Sequence, residues 1–205
     1  MKLLNIAIIS TLIAMMFVTL SCRNVDNPEQ HASSDDGSDV GVLQVAKQVV
    51  EALTVQDGKK LASLVHPEKG VRFSPSAYVD VSNDLIFLRT HIETFWTDKK
   101  TYTWGFADGT GDPIKLTASQ YSREYIMNRD FLSPSSINVN NDHAAGTTSN
   151  NAALIYPNGT RVEYYIEPSI REGKPELDWA ALRLVFEKMG DHWFLLAMIH
   201  DEWTN

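Results

Sequence analysis

The sequence predicts an α+β fold in which N-terminal helices pack on a curved antiparallel sheet. Helical periodicity dominates the first part of the chain, over residues 42–53. Hairpin-like patterns dominate the second half. The chain closes on two long alternating segments, 182–187 and 193–200, separated by a short turn. We therefore expect one globular domain.

The first helix is predicted from Val42, Val45, Ala46, Val49, Val50 and Leu53, which recur at helical spacing after two capping-type residues. Asp57-Gly58 ends that pattern, and residues 59–66 predict a second, shorter helix. A third helix is predicted over 85–96, because Leu85, Leu88 and Ile92 share one helical face.

Strands are predicted on both sides of that third helix. Residues 71–74 alternate after a turn, and residues 101–107 and 113–117 flank a Gly-rich loop. Residues 117–120 then have the form of a capping box, which predicts the start of another helix.

The second half is predicted to consist of a long polar loop and two hairpins. The loop spans residues 133–151. Residues 152–156 and 161–167 flank Asn158-Gly159, the strongest hairpin signal in the chain. This order of elements resembles the NTF2-like, cone-shaped fold, and the resemblance implies a pocket between sheet and helices.

Composition excludes several classes of protein. The chain has 205 residues, of which 43% are hydrophobic and 21% charged, which is unlike collagen, disordered or multi-pass membrane proteins. Its 18 Lys and Arg against 26 Asp and Glu give a net charge of −8, so no nucleic-acid partner is expected. One cysteine excludes an intramolecular disulfide and Cys-rich metal sites. The Gly-rich loop fails the EF-hand pattern at Pro113 and Ser119, and neither a metal nor a cofactor is expected.

The N-terminus is predicted to be a lipoprotein signal peptide over residues 1–21. Lys2 precedes eighteen uncharged residues, most of them apolar. The pentapeptide Val18-Thr19-Leu20-Ser21-Cys22 overlaps the end of this run. That pentapeptide resembles the lipobox of bacterial lipoproteins, which implies diacylation of Cys22 and a cell-membrane anchor on the extracytoplasmic face. The alternative is a chance thiol at the end of an uncleaved anchor. Residues 22–40 are acidic and poor in large apolar side chains, which predicts a flexible tether, and residues 41–205 form the domain.

Four segments mix aromatic and polar groups, and together they resemble a group of uncharacterised bacterial extracytoplasmic lipoproteins. The shared patterns are HPxxGVRFS from His66, WGxxDGxG from Trp104, DWxxLRLVF from Asp178 and HDxWT from His200. The resemblance implies one shared architecture over residues 45–204. It implies no particular activity.

His66 and His200 are the candidate acid–base groups, because imidazole titrates near neutral pH. His66 ends a predicted helix, where a cationic ring offsets the helix dipole, and that structural role suffices. His200 ends the last strand and could be oriented as a general base by Asp178 or Asp201. A structural histidine, satisfied by hydrogen bonds, is the favoured alternative.

Arg183, Trp104 and Trp179 are the candidate ligand-binding residues. Arg183 lies mid-strand among apolar neighbours. Facing inward, it needs a carboxylate such as Asp178 or Glu187, and it would suit a carboxylate or phosphate ligand. An exposed strand charge is the favoured alternative. The two tryptophans could line a sugar or peptide cleft, although a place in the core is favoured for each.

Three functions fit the sequence. The first is a lipid-anchored extracytoplasmic module that binds a small molecule or an envelope protein. The second is an extracytoplasmic hydrolase or isomerase that uses His200 with a carboxylate. The third is a structural role in an envelope assembly. Convergence of His66, Asp178, Arg183 and His200 on one concave site would favour the first two.

Overall fold

The computed structural model describes residues 36–107, 109–143 and 146–203. Cys22 and the predicted signal peptide lie outside the described residues. The helices are α1 (Asp36–Thr54), α2 (Gly58–Leu64), α3 (Arg89–Ile92), α4 (Ala118–Tyr121), a π-helical turn (Ser122–Ile126) and α5 (Ala152–Ile155). The strands are β1 (Val71–Ser74), β2 (Leu85–Phe87), β3 (Thr101–Phe106), β4 (Pro113–Thr117), β5 (Ser136–Val139), β6 (Thr160–Ile166), β7 (Ile170–Arg171), β8 (Lys174–Pro175), β9 (Ala180–Met189) and β10 (His192–Glu202).

A six-stranded sheet in the order β2-β1-β10-β9-β6-β5 forms the centre of the fold. Its neighbouring strands are antiparallel except β1 and β10, which run parallel. The α+β prediction is therefore confirmed, but the sheet is mixed rather than antiparallel. Periodicity within a strand is the same for either direction of its neighbour, so the sequence pattern did not reveal this pairing.

The sheet has two buried faces, which we call the helix face and the outer face. On β9, Leu182, Leu184 and Phe186 point into the main core beneath the helices, while Arg183 and Val185 point to the outer face. The β9–β10 pairing shifts register between residues 195 and 197. Such a bulge bends the strand and places two successive side chains on one face.

Helix α1 packs on the helix face through the apolar stripe that the sequence predicts. Val42, Ala46, Val49 and Leu53 are all buried in the main core. The helix begins at Asp36, inside the segment predicted to be a tether. Helix α2 also forms as predicted, and Asp57 caps it by accepting a hydrogen bond from the amide of Lys60 at 2.9 Å.

An aromatic cluster fills the core beneath β1 and β3. Trp104 is fully buried and stacks on Tyr121 with their ring centroids 3.9 Å apart. Phe73 and Phe95 stack beside them at 5.3 Å. Tyr121 belongs to α4, which starts with the predicted capping box. The hairpin of β3 and β4 is also confirmed.

Three sequence predictions are wrong in their secondary structure. The helix predicted over 85–96 begins instead as strand β2, because Phe87 pairs with Val71 and packs against the aromatic cluster, and only the single turn α3 follows. The polar loop contains strand β5. Residues 152–155 form α5 rather than the first strand of a hairpin, so Asn158-Gly159 connects a helical turn to β6.

The segment 151–156 packs on the outer face. Its Asn151 accepts a hydrogen bond from the amide of Val79 at 2.7 Å and donates to the carbonyl of the same residue at 3.1 Å. Ala152 is fully buried against Val185 and Ile199. Asn151 is the last residue of the predicted polar loop. The chain nevertheless packs here on an apolar face of the sheet, because a few small and apolar residues make the contacts.

Candidate functional site

His200 lies on the helix face of β10 and lines a small cavity at one end of the sheet. It pairs in register with Leu182, a core residue, so its ring points to the helix side. The cavity has a volume of about 120 Å³ and is lined by Pro75, Ser76, Ala107, Tyr125, His200, Asp201 and Glu202. Strand β10 thus brings a buried imidazole to the wall of a cavity.

The His200 ring makes few polar contacts. His200 is 4% exposed, and neither nitrogen of its ring has a hydrogen-bond partner within the described part of the chain. Nε2 lies 3.4 Å from Glu202 Oε1, close enough for ion pairing but outside hydrogen-bond geometry. The Tyr125 ring packs edge-on against it at 5.6 Å. Buried polar atoms almost always have a partner. His200 is the described residue with two such atoms unpaired, whereas four other described residues each leave one buried side-chain atom unpaired.

Glu202 is the carboxylate beside His200. It follows two residues later on the same strand and therefore points to the same face. Its Oε2 accepts a hydrogen bond from the Asn128 amide at 2.8 Å, and Arg129 lies 3.8 Å away. Burial raises the pKa of Glu202, but His200, Arg129 and Asn128 together lower it below its usual value. The site therefore presents an ionised carboxylate next to an imidazole.

Asp178 makes its contacts elsewhere. Its carboxylate accepts hydrogen bonds from the Ser169 amide at 2.8 Å and the Ser169 hydroxyl at 2.7 Å. Those bonds lower the pKa of Asp178. They close the loop around β7 and β8. Asp178 is therefore not the carboxylate next to His200; among the described residues that carboxylate is Glu202.

Arg183 is fully buried on the outer face, where it joins two carboxylates. Its Nε donates to Glu163 at 2.7 Å, and its Nη1 donates to Asp201 at 2.7 Å. Glu163 is 0% exposed and Asp201 6%. The favoured expectation of an exposed charge is therefore wrong, and so are the expected partners Asp178 and Glu187. Glu163 lies directly across from Arg183 on β6, a long-range register that local sequence does not contain.

His143 completes this cluster and was missed by the sequence analysis. Its Nδ1 lies 2.7 Å from Glu163 Oε1, and its ring stacks on Tyr165 at 3.9 Å. Its carbonyl accepts from Arg183 Nη2 at 3.3 Å. Two charges of opposite sign in the middle of predicted strands, Glu163 and Arg183, were the available signal for a buried pair.

His66 and the two tryptophans have structural surroundings. His66 Nδ1 accepts hydrogen bonds from the amides of Glu68 and Lys69, at 3.2 and 3.0 Å, which stabilises the turn before β1. Burial lowers the pKa of His66, so the ring stays neutral. Trp104 is in the core, where its Nε1 donates to a backbone carbonyl. Trp179 packs near Tyr165 in a small cluster on the outer face.

The predicted residues therefore do not converge. His200 and Arg183 lie on adjacent strands but face opposite sides of the sheet. Asp178 holds its own loop, and His66 lies near Glu187. A site at His200 is formed with Glu202 and Tyr125 instead.

None of the described helices is long and apolar enough to cross a membrane. Within the same residues, no group of three or more His, Cys, Asp or Glu side chains could hold a metal ion.

This chain shows only weak similarity to the known proteins it was compared with. No protein-family model and no curated protein matches the chain. Among solved structures, a variant of a protein named Rd1NTF2_05 has a TM-score of 0.36 at 13% identity, over 80% of this chain and 99% of that one. A putative calcium/calmodulin dependent protein kinase II association domain from Xanthomonas campestris has a TM-score of 0.33 at 14% identity, over 80% and 85% of the two chains. These values assign neither a family nor an activity.

Proposed function

We propose that this chain is a lipid-anchored extracytoplasmic module with an NTF2-like domain, which binds a small polar ligand at His200. The supporting observation is the buried His200 ring, whose two nitrogens have no hydrogen-bond partner among the described residues, in a residue that lines a cavity. Leaving a buried polar atom unpaired costs about 1–3 kcal/mol. A ligand that hydrogen-bonds to the imidazole recovers that energy.

The chemistry of the cavity selects the ligand. Glu202 is ionised and accepts hydrogen bonds, and the His200 ring offers two nitrogen atoms for hydrogen bonds. A ligand with a hydroxyl or amine group therefore matches the site best. A volume of about 120 Å³ holds only a few non-hydrogen atoms, so the group that enters is small.

The binding test uses the full chain in a nonionic detergent with four probes: ethanolamine, glycerol, glycine and acetate. We expect ethanolamine or glycerol to shift the ring resonances of His200 saturably in NMR spectra. His200→Gln should abolish binding, while His192→Gln, at an exposed histidine, should leave it unchanged. If none of the probes shifts the His200 resonances at 100 mM, or if both variants bind equally, the site is refuted.

A hydrolase or isomerase is the second candidate, and the short distance between His200 and Glu202 favours it. A carboxylate beside a histidine can orient the ring and stabilise its protonated form during proton transfer. If the dyad is catalytic, kcat/KM for p-nitrophenyl acetate should fall at least 100-fold in both His200→Gln and Glu202→Gln, with the fold retained. Equal rates in the wild type and these variants would exclude the dyad as the catalyst of this reaction.

The membrane anchor is proposed from Cys22 and is tested separately. Cys22→Ala should abolish lipid labelling and either release the chain from membranes or leave an unprocessed precursor. Unchanged lipid labelling, processing and membrane retention would refute the anchor without affecting the ligand site.

A further inference from the structure

A second cavity lies on the outer face of the sheet, opposite the face that carries His200. Its volume is about 340 Å³. It is lined by residues of β1 and β2, the end of β9 and the loop before β6. Its charged and hydroxyl-bearing side chains are Lys69, Arg72, Tyr156 and Glu187. We call this cavity the outer groove.

Arg72 provides a cation that forms no ion pair within the described part of the chain, although acidic side chains at greater distance, Asp84 among them, interact with it electrostatically. Val71 and Phe73 point into the core, so alternation directs Arg72 to the outer face. Its Nη1 makes only long hydrogen bonds, 3.4 Å to the Val81 carbonyl and 3.3 Å to the Asp84 carbonyl. Throughout the described ranges, no carboxylate lies within 4.0 Å of its guanidinium.

Tyr156 and Lys69 bring further donors to the outer groove. Tyr156 lines the groove with Arg72; burial raises the pKa of its hydroxyl, and the positive charge of Arg72 partly offsets that effect. The Lys69 ammonium forms an ion pair with Glu187. His66 Nε2 lies 3.7 Å from the same carboxylate, but that ring is neutral because burial lowers its pKa. Lys69 therefore already binds a carboxylate, and the side chains that line the groove include two cations, Lys69 and Arg72, and one anion, Glu187.

Asn158 and Gly159 also line the groove, and the remaining wall is apolar: Ile86, Ile155, Pro157 and Leu196. Guanidinium groups bind carboxylates through two parallel hydrogen bonds, and such bonds are strong where water is partly excluded. A free phosphate would leave these apolar walls without contact. An organic acid with a short apolar body contacts both the cation and the walls.

We propose that the outer groove binds the carboxylate of a ligand with a short apolar body, with Arg72 as its main partner and Lys69 as its second. The carboxylate comes either from a free organic acid or from the C-terminus of a peptide. This site is independent of His200, so either proposal can fail without the other.

The test is calorimetric titration of the full chain in nonionic detergent with N-acetyl-leucine, and with N-acetyl-leucinamide as the probe without the charge. The acid should bind at least tenfold more tightly than the amide. Hexanoate and N-acetyl-leucyl-leucine separate the two sources: tighter binding of hexanoate indicates a free acid, and tighter binding of the dipeptide indicates a peptide C-terminus.

Three variants test the assigned roles. Arg72→Gln should weaken binding of N-acetyl-leucine at least tenfold, and Lys69→Gln about threefold. Glu187→Gln should tighten it, because Lys69 is then released from its internal carboxylate. Lys115→Gln removes the same charge from exposed strand β4 and should have no effect.

The proposal is overturned if the acid and the amide bind equally, or if neither binds at 20 mM. It is also overturned if folded Arg72→Gln binds within twofold of the wild type, or if Glu187→Gln weakens binding. Should Arg72→Gln fail to fold, the opposite effects expected for Lys69→Gln and Glu187→Gln decide the matter, since both side chains are partly exposed.

Discussion

Replacing Arg183 by methionine tests the energetics of the buried charge cluster. Arg183 is 1% exposed and bonds two carboxylates at 2.7 Å, so its removal leaves Glu163 and Asp201 buried without their cation. Breaking a buried ion pair by removing one partner costs about 3–5 kcal/mol. For a domain of this size, each kcal/mol lowers Tm by roughly 2–4 °C, so we expect Tm to fall by roughly 6–20 °C.

The assay is urea and thermal unfolding of the wild type, Arg183→Met and Arg171→Met at pH 7. Arg171 forms an ion pair of similar length with Glu176, at 3.1 Å, but its side chain is 78% exposed. Exposed pairs contribute little, so Arg171→Met should lower Tm by no more than about 2 °C. If both variants lose the same stability, burial of the cluster does not determine its contribution to the free energy of unfolding.

Three further perturbations have defined outcomes. Burial raises the pKa of Asp84 from 3.8 to about 6, so the folded chain binds an extra proton between these values and loses stability as pH rises through them. The wild type should therefore lose about 2 kcal/mol relative to Asp84→Asn between pH 4 and pH 7 in urea unfolding, and parallel curves would contradict this. Gly70→Ala should destabilise far more than Gly173→Ala in thermal unfolding, because both have φ above +70° but only at Gly70 would a Cβ lie 2.5 Å from a backbone oxygen, that of Phe87. Trp104→Phe should cost about 2–4 kcal/mol by loss of its hydrogen bond and ring contacts, measured by urea unfolding, and a cost below 1 kcal/mol would contradict its place in the core.

Local patterns predicted those elements whose surroundings are also local. The stripe on α1 and the capping box before α4 depend on residues within a few positions of each other, and both formed as expected. The segment 85–96 shows the limit. Its apolar spacing suits a helix, but Phe87 gains more by packing against Phe73 and Trp104, residues that lie on other elements.

The candidate site shows the same limit for side chains. The sequence identified His200 and placed it correctly at the end of the last strand. It did not identify Glu163 as the partner of Arg183, because that contact depends on the register of β6 against β9. Nor did it show that His200 and Arg183 face opposite sides, because the bulge in β10 changes which residues share a face.

An anionic ligand can bind on the outer face only where a cation is not already paired with a carboxylate of the protein. Arg183 and Arg161 are each paired with carboxylates inside the fold, Arg161 with Asp142 at 3.0 Å. A ligand carboxylate would have to displace these partners and leave them buried without a cation, which costs several kcal/mol. Arg72 has no such partner among the described residues and borders a cavity. The sequence suggested Arg183, on β9, as an anion-binding residue. Arg72, on β1 at the other side of β10, is therefore better suited to that role.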